Sequence, residues 1–160
     1  IMNIDGSDVQ QLTSDQGKNE VGNFTPDGSK IIFNSGIGFN NQEICMMNID
    51  GSNFTKITNN TVVDMLPRCS PDGETIVFSS GDLHGTEGIF LIDFDGTNRR
   101  VLVENTANDF DPCWSPDGEY VAFQTAYEDE NDEITIIHIA TGNTTRLTHS
   151  LGWDSNPDWK

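Results

Sequence analysis

Basic residues are scarce in this sequence. Its 160 residues include 8 Lys and Arg against 26 Asp and Glu, which gives a formal net charge of −18. So large an excess of negative charge repels phosphate backbones and anionic lipid surfaces. Nucleic acid is therefore excluded as an expected partner.

Long apolar runs and helical periodicity are also missing. No stretch approaches the roughly 18 apolar residues that a transmembrane helix needs. The first residues show neither the basic start nor the apolar core of a signal peptide. Apolar residues do not recur at the spacing of a helix over any useful length. We expect an all-β protein with no membrane insertion and no signal peptide in this sequence.

The motifs of common catalytic and metal sites are absent as well. Cys45, Cys69 and Cys113 lack CxxC spacing, so neither a disulfide framework nor a zinc site is indicated. There is no Gly-x-Ser-x-Gly elbow, phosphate loop, dinucleotide fingerprint or His-Glu-x-x-His motif. Acids are abundant, but nothing marks one pair as a general acid and base. We predict that this chain by itself is not an enzyme.

What the sequence does contain is an internal repeat with a fixed 45-residue period. A Pro-Asp-Gly turn marks each copy, at Pro26, Asp27 and Gly28, at Pro71, Asp72 and Gly73, and at Pro116, Asp117 and Gly118. A period of this length with short strands inside it is typical of repeat architectures whose units pack on one another. We place the units at 19–63, 64–108 and 109–153, with partial units at 1–18 and 154–160.

Each unit holds four strand-like segments separated by turn residues. Pro presets the φ of a turn and Gly accepts a positive φ, so Pro-Asp-Gly predicts a tight hairpin between the first two strands. The second and third strands are apolar on both faces, as in Ile76-Val77-Phe78, which predicts a sheet covered on both sides. The fourth is short and polar, which is typical of an outer edge. The pattern predicts the four-stranded antiparallel blades of a β-propeller.

Three complete blades plus part of a fourth are fewer than the roughly 4–8 blades of a closed propeller. We therefore expect a partial propeller or a segment of a larger one. The chain is predicted to begin in a third strand at Met2–Asp5 and to end in a first strand at Asn156–Lys160. Pairing of such ends between copies would close a ring as a homo-oligomer and remove exposed strand edges.

The segments Asp109-Phe-Asp-Pro-Cys-Trp-Ser-Pro-Asp-Gly118 and Ile92-Asp-Phe-Asp-Gly-Thr-Asn98 resemble the TolB-type β-propeller repeat. The resemblance extends over essentially the whole chain, with Gly22 in place of a proline and Cys69 in place of a tryptophan. It implies a propeller that is often six-bladed and often exported to the periplasm or the extracellular space. It also implies a domain without chemistry of its own, which binds proteins or gates a peptidase of the prolyl oligopeptidase type.

Three functions follow from this resemblance and from the repeat. The first is a non-enzymatic scaffold that binds a protein or peptide. The second is the propeller domain of a larger enzyme, a prolyl-oligopeptidase-type serine peptidase or a propeller lyase, whose catalytic part lies outside this chain. The third is a half propeller that assembles with itself into a closed ring.

The binding surface is predicted from the direction of the strands. Because strands alternate in direction, the regular Pro-Asp-Gly and Asp-Gly turns share one face of the disc. The loops 36–42, 81–87 and 126–132, which differ from copy to copy, share the opposite face with the connections between blades. Binding sites lie preferentially on variable loops held by a rigid scaffold. We call this the variable-loop face.

Two groups of acidic residues on that face are candidate sites. One repeat position at the entry to the innermost strand is occupied by Asn19, Asp64, Asp109 and Asp154. Such a ring at a channel mouth can hold a cation such as calcium or a basic side chain, or each residue can fix its own loop. The second group is a divalent-metal site or a solvated loop tip, formed by Glu128, Asp129, Glu130 and Asp132. No other cofactor is expected.

Overall fold

The computed structural model describes residues 1–13, 17–36, 41–81, 87–104, 107–126 and 131–159. These residues form β-strands, turns and irregular segments, and within them no helix is long and apolar enough to cross a membrane. The strands are β1 Lys18–Phe24, β2 Lys30–Gly36, β3 Gln42–Asn48, β4 Thr55–Lys56, β5 Val63–Cys69, β6 Thr75–Gly81, β7 Gly88–Asp93, β8 Arg100–Val103, β9 Asn108–Trp114, β10 Tyr120–Ala126, β11 Glu133–His138 and β12 Thr144–Arg146.

The strands form three antiparallel sheets, each built from four consecutive strands. We call them the first blade (β1–β4), the second blade (β5–β8) and the third blade (β9–β12). Each is a simple meander, so its edges are the first and the fourth strand. The prediction of an all-β protein with four-stranded antiparallel blades is confirmed.

The two predicted terminal strands are not formed within the described residues. Met2–Asp5 and the described part of Asn156–Lys160 are turns or irregular segments. Neither segment has a second strand of its own blade beside it, and a strand without a partner leaves its backbone groups unpaired. The turn of the N-terminal segment nevertheless forms, because Gly6 N–H donates to Asn3 O at 2.9 Å and Gly6 has a φ of +82°.

The two larger apolar clusters lie between the blades. Ile32 and Ile44 of the first blade pack with Phe78 and Phe90 of the second. Val77, the neighbour of Phe78, instead packs with residues of the third blade. Because successive strand residues point to opposite faces, one strand supplies both cores, and each blade needs its neighbours to bury its faces.

The side of the first blade that faces away from the second is partly open. Phe24 is 58% exposed and Phe54 is 50% exposed. Phe24 is therefore not part of an apolar core between two blades. The equivalent residue of the third blade, Trp114, contacts the second blade and donates its indole N–H to Arg68 O at 3.2 Å. Phe24 lacks such a contact because none of the described strands covers that side of the first blade.

The Pro-Asp-Gly turns have the same geometry in all three blades. In the third blade, Ser115 Oγ donates to Asp117 Oδ1 at 2.5 Å, and Gly118 N–H donates to Ser115 O at 2.9 Å. Gly118 has a φ of +72°, which glycine adopts without strain. The turn is thus held by its own side chains and works as the predicted hairpin device.

These turns predict a dependence of stability on acidic pH. The hydroxyl of Thr25, with the backbone and hydroxyl of Ser29, lowers the pKa of Asp27 from 3.8 to about 2. The Ser115 hydroxyl likewise lowers the pKa of Asp117. A carboxyl group with a lower pKa in the folded state stabilises the fold above its ordinary pKa. That contribution is lost as the pH falls through the folded pKa.

We therefore expect the free energy of unfolding to decrease between about pH 4 and pH 2. The Ser115→Ala variant should show a smaller decrease, because Asp117 loses the hydroxyl that favours its ionised form. Thermal unfolding followed by circular dichroism across this range measures the effect. Ser155→Ala, at an exposed serine outside these turns, is the matched control. An unchanged pH dependence in Ser115→Ala would contradict the prediction.

Candidate functional site

The predicted acidic loop site lies largely outside the described residues. Glu128, Asp129 and Glu130 are not described, whereas Asp132 is. Asp132 Oδ2 accepts a hydrogen bond from Gln124 Nε2 at 2.5 Å, which ties its carboxylate to β10. Among the described residues, no group of three or more His, Cys, Asp or Glu side chains is placed to hold a metal ion. Metal binding by this loop remains a prediction.

Asp64, of the predicted ring, is fully buried at the start of β5. Its Oδ2 accepts a hydrogen bond from Asn60 Nδ2 at 2.7 Å, and its Oδ1 lies 3.8 Å from Arg99 Nη2. Asn60 belongs to the connection between the first and second blades. A buried carboxylate needs such partners, because its desolvation is costly. Asp64 therefore holds the blade connection and the outer residue Arg99 in place.

The other ring positions also lie where one blade passes to the next. Asp109 is fully buried, and its N–H donates to Glu87 O at 2.9 Å. Asp154 N–H donates to Asp132 O at 2.9 Å, and its Oδ2 accepts from Ser150 Oγ at 2.9 Å. Asn19, in the first copy, donates to Gly17 O at 3.3 Å. Asp64 and Asp109 are thus fully buried within strands, whereas Asp154 and Asn19 are half-buried, and a ligand-binding role for the four positions remains a prediction.

A pair of buried glutamates on the same face was not anticipated from the sequence. Glu43 and Glu133 begin the third strands of their blades and are almost completely buried. Glu43 Oε2 accepts from Thr58 Oγ1 at 2.7 Å, and its Oε1 accepts from Asn60 N–H at 2.7 Å. Thr58 Oγ1 in turn accepts from Ile44 N–H at 2.9 Å. Glu43 and Thr58 thus form a buried Glu and Thr pair, which joins β3 to the segment that follows β4.

The third blade repeats this arrangement with an additional cation. Thr148 Oγ1 donates to Glu133 Oε2, and Arg146 Nη2 donates to Glu133 Oε1 at 2.8 Å. The Thr148 hydroxyl, together with Arg146, lowers the pKa of the Glu133 carboxyl. The signal in the sequence is that Glu43 and Thr58 recur as Glu133 and Thr148, two 45-residue periods further along the chain. It is easily missed because the middle unit breaks it.

The second blade has Gly88 and Val103 where the others have this Glu and Thr. An open cavity of about 680 Å³ occupies this end of the blade, between the first and second blades. Its wall includes Asn60, Val62, Gly88, Phe90, Arg99 and Val101. We call it the interblade cavity, and it lies on the variable-loop face because Gly88 follows the loop 81–87.

Arg99 gives the interblade cavity its charge. Its guanidinium carbon lies 4.1 Å from the centroid of the Phe90 ring, a cation–π contact. Its Nη2 donates to Ser80 Oγ at 2.8 Å, and the side chain remains 37% exposed. The guanidinium is thus held in one place while part of it faces the cavity. A site of this kind can bind an anionic or planar polar group.

The buried pair of Glu43 and Thr58 predicts that removing the Thr58 hydroxyl substantially lowers the free energy of unfolding. In Thr58→Val the shape is retained, but Glu43 Oε2 and Ile44 N–H lose a buried partner. We expect a loss of about 2 kcal/mol in the free energy of unfolding, measured by urea denaturation at pH 7. Thr55→Val, at an exposed residue of β4, should change it by less than about 0.5 kcal/mol. Equal losses in the two variants would contradict this prediction.

Solved structures with a similar fold include two TolB proteins. TolB from Acinetobacter baumannii is 28% identical with a TM-score of 0.74, and 86% of this chain covers 34% of that chain. The putative TolB from Agrobacterium tumefaciens is 24% identical with a TM-score of 0.76, and 86% of this chain covers 51% of that chain. This chain thus spans between a third and about half of their lengths.

The fold is shared with an enzyme as well. A puromycin hydrolase S511A mutant is 14% identical with a TM-score of 0.73, and 91% of this chain covers 25% of that chain. No curated protein matches the sequence significantly. The family model described as the TolB beta propeller domain matches residues 40–160, and the chain therefore belongs to that family.

Proposed function

We propose that this chain is a non-enzymatic propeller segment that binds a protein or peptide through its variable-loop face and channel mouth. The observation that carries the proposal is the difference between the two faces. Three near-identical turns, each held by its own hydrogen bonds, occupy one face. The opposite face carries the buried Asp64 and Asp109, the interblade cavity and the strand ends that lead into the loops 36–42, 81–87 and 126–132, most of whose residues lie outside the described part of the chain.

The Asp residues of the predicted ring enter this proposal through their burial and their charge. Asp64 and Asp109 are fully buried, which favours a role in holding the blade connections over direct ligation of calcium. Their negative charge still contributes to the potential at the channel mouth. A chain of net charge −18 attracts basic partners and repels strongly acidic ones. We propose that the protein acts in the periplasm or outside the cell, and its similarity to the TolB proteins supports this proposal.

The binding face is tested with a random dodecapeptide library displayed on phage. We expect selected peptides to bind the chain with dissociation constants that depend on residues of the variable-loop face. Glu104→Lys, at an exposed residue of this face, should change the dissociation constant by about fivefold or more, because a rim charge alters the local potential. Isothermal titration with the synthetic peptides measures it.

The matched control is Glu119→Lys, at an exposed glutamate of the Pro-Asp-Gly turn on the other face. It should leave the dissociation constant unchanged. The proposal fails if the library yields no binder, or if Glu119→Lys impairs binding while Glu104→Lys does not.

A second candidate function, self-assembly into a larger ring, is favoured by the open side of the first blade. Phe24 and Phe54 are half-exposed there, and apolar surface of this kind favours association. We expect sedimentation equilibrium of this chain to show a species heavier than the 17.7 kDa monomer. Phe24→Ser should shift the equilibrium toward the monomer, whereas Thr97→Ser, at an exposed turn residue, should not. A strict monomer at high concentration would contradict self-assembly.

A further inference from the structure

The interblade cavity lies at the one blade in which the internal Glu and Thr pair is missing. In the third blade, the equivalent positions hold Glu133 and Arg146, joined by a hydrogen bond of 2.8 Å. In the second blade they hold Gly88 and Val101, which both line the cavity. The place filled by a carboxylate of the chain itself in the first and third blades is therefore left open in the second.

The second blade cannot supply that carboxylate from position 88. A Cβ atom added to Gly88 would lie 2.6 Å from Val103 O, well inside van der Waals contact with a backbone atom. The pairing of β7 with β8, which is irregular between Ile89 and Phe90, brings Val103 O to this place. A carboxylate that enters the cavity must come from another molecule or another part of the polypeptide.

Arg99 has donors available for such a group. A guanidinium carries five N–H donors. Within the described part of the chain, Arg99 donates one hydrogen bond, to Ser80 Oγ. Asp64 Oδ1 lies 3.8 Å from Nη2, which is beyond hydrogen-bond distance, so it balances the charge without taking a donor. The cation–π contact with Phe90 and the hydrogen bond to Ser80 Oγ hold the guanidinium in place. A fixed guanidinium with free N–H groups suits bidentate binding of a carboxylate.

The other residues of the cavity wall indicate which kind of chemical group adjoins the carboxylate. Val62, Phe90 and Val101 give the cavity an apolar side beside Arg99. We propose that the interblade cavity binds a peptide carboxylate, from a chain terminus or an acidic side chain, with the adjoining apolar group against these three residues. This inference rests on the proposed function, since it names the chemical group of the partner that the variable-loop face recognises.

The strongly negative chain does not prevent this binding at physiological salt. The screening length there is about 8 Å, so distant carboxylates are largely screened. The groups that act directly on the ligand are Arg99, in contact with the cavity, the buried Asp64 beside it, and the exposed Glu104 at the rim. We therefore expect a modest affinity. Binding should be measured at about 150 mM salt, where the screening length is about 8 Å.

The probes are three short peptides that differ only in their carboxylates. Acetyl-Gly-Gln-Leu has a free C-terminal carboxylate, its C-terminal amide has none, and acetyl-Gly-Glu-Leu amide has an acidic side chain of the same size as Gln. NMR titration of the Arg99 Nε–H signal reports occupancy of the cavity. We expect at least one carboxylate peptide to bind about tenfold or more tightly than the neutral amide. The peptide that binds identifies the source, a terminus or a side chain. Equal binding of all three peptides, or no binding, would overturn the inference.

Two substitutions test whether Arg99 and the cavity are responsible. Arg99→Lys keeps the charge near Asp64 but removes the planar fork, so the affinity should decrease about tenfold. Arg100→Lys is the matched control, because the neighbouring Arg100 pairs with Asp93 and does not line the cavity. Unchanged affinity in Arg99→Lys would overturn the inference.

A further variant keeps the test decisive if Arg99→Lys is unstable. Val101→Phe enlarges a half-exposed residue of the wall without touching Asp64, and should lower the affinity by partly filling the cavity. Val9→Phe, at an exposed residue elsewhere, should not. Failure of all carboxylate probes, with library peptides still dependent on Glu104, would reject this inference and leave the proposed function standing.

Discussion

The packing of one sheet against the next is the constraint on which the rest of this structure depends. Each blade has apolar residues on both faces, so Phe78 and Val77 of a single strand are buried against different neighbours. Burial of apolar surface stabilises the folded state by roughly 25 cal/mol per Å². A blade gains this stabilisation fully on both faces only when it lies between two other blades. The first blade shows the consequence, since Phe24 and Phe54 on its outer side stay half-exposed.

The polar groups between the blades serve this packing. Where the chain passes from one blade to the next, buried carboxylates accept hydrogen bonds from backbone and side-chain donors of the connection. Asp64 accepts from Asn60, and Glu43 accepts from Thr58. Such groups are costly to bury unless they are satisfied. They therefore fix how the blades meet, and a change in one of them changes the shape of the space between two sheets. The interblade cavity follows from one such change, at Gly88.

Much of the fold could be predicted from sequence because its signals are local and repeated. The Pro-Asp-Gly turns, the apolar second and third strands and the short fourth strands all lie where their patterns indicate. The terminal strands were not predictable in this way. Met2–Asp5 has the composition of a third strand and forms its Asp-Gly turn, but a strand also needs a neighbour to accept its hydrogen bonds.

The site shows the same division between local and long-range information. The recurrence of Asp64, Asp109 and Asp154 was visible in the sequence, but the complete burial of Asp64 and Asp109 was not. In the sequence Arg99 is one of two adjacent arginines, but in the structure it lies over Phe90 and beside Asp64, which is 35 residues earlier in the chain. By itself the sequence determined the repeat, the blade and the face on which the loops lie, because turn chemistry and strand periodicity act between near neighbours. Only the tertiary structure decided which polar groups are buried together and where a cavity opens, because both depend on contacts between sheets that are distant along the chain.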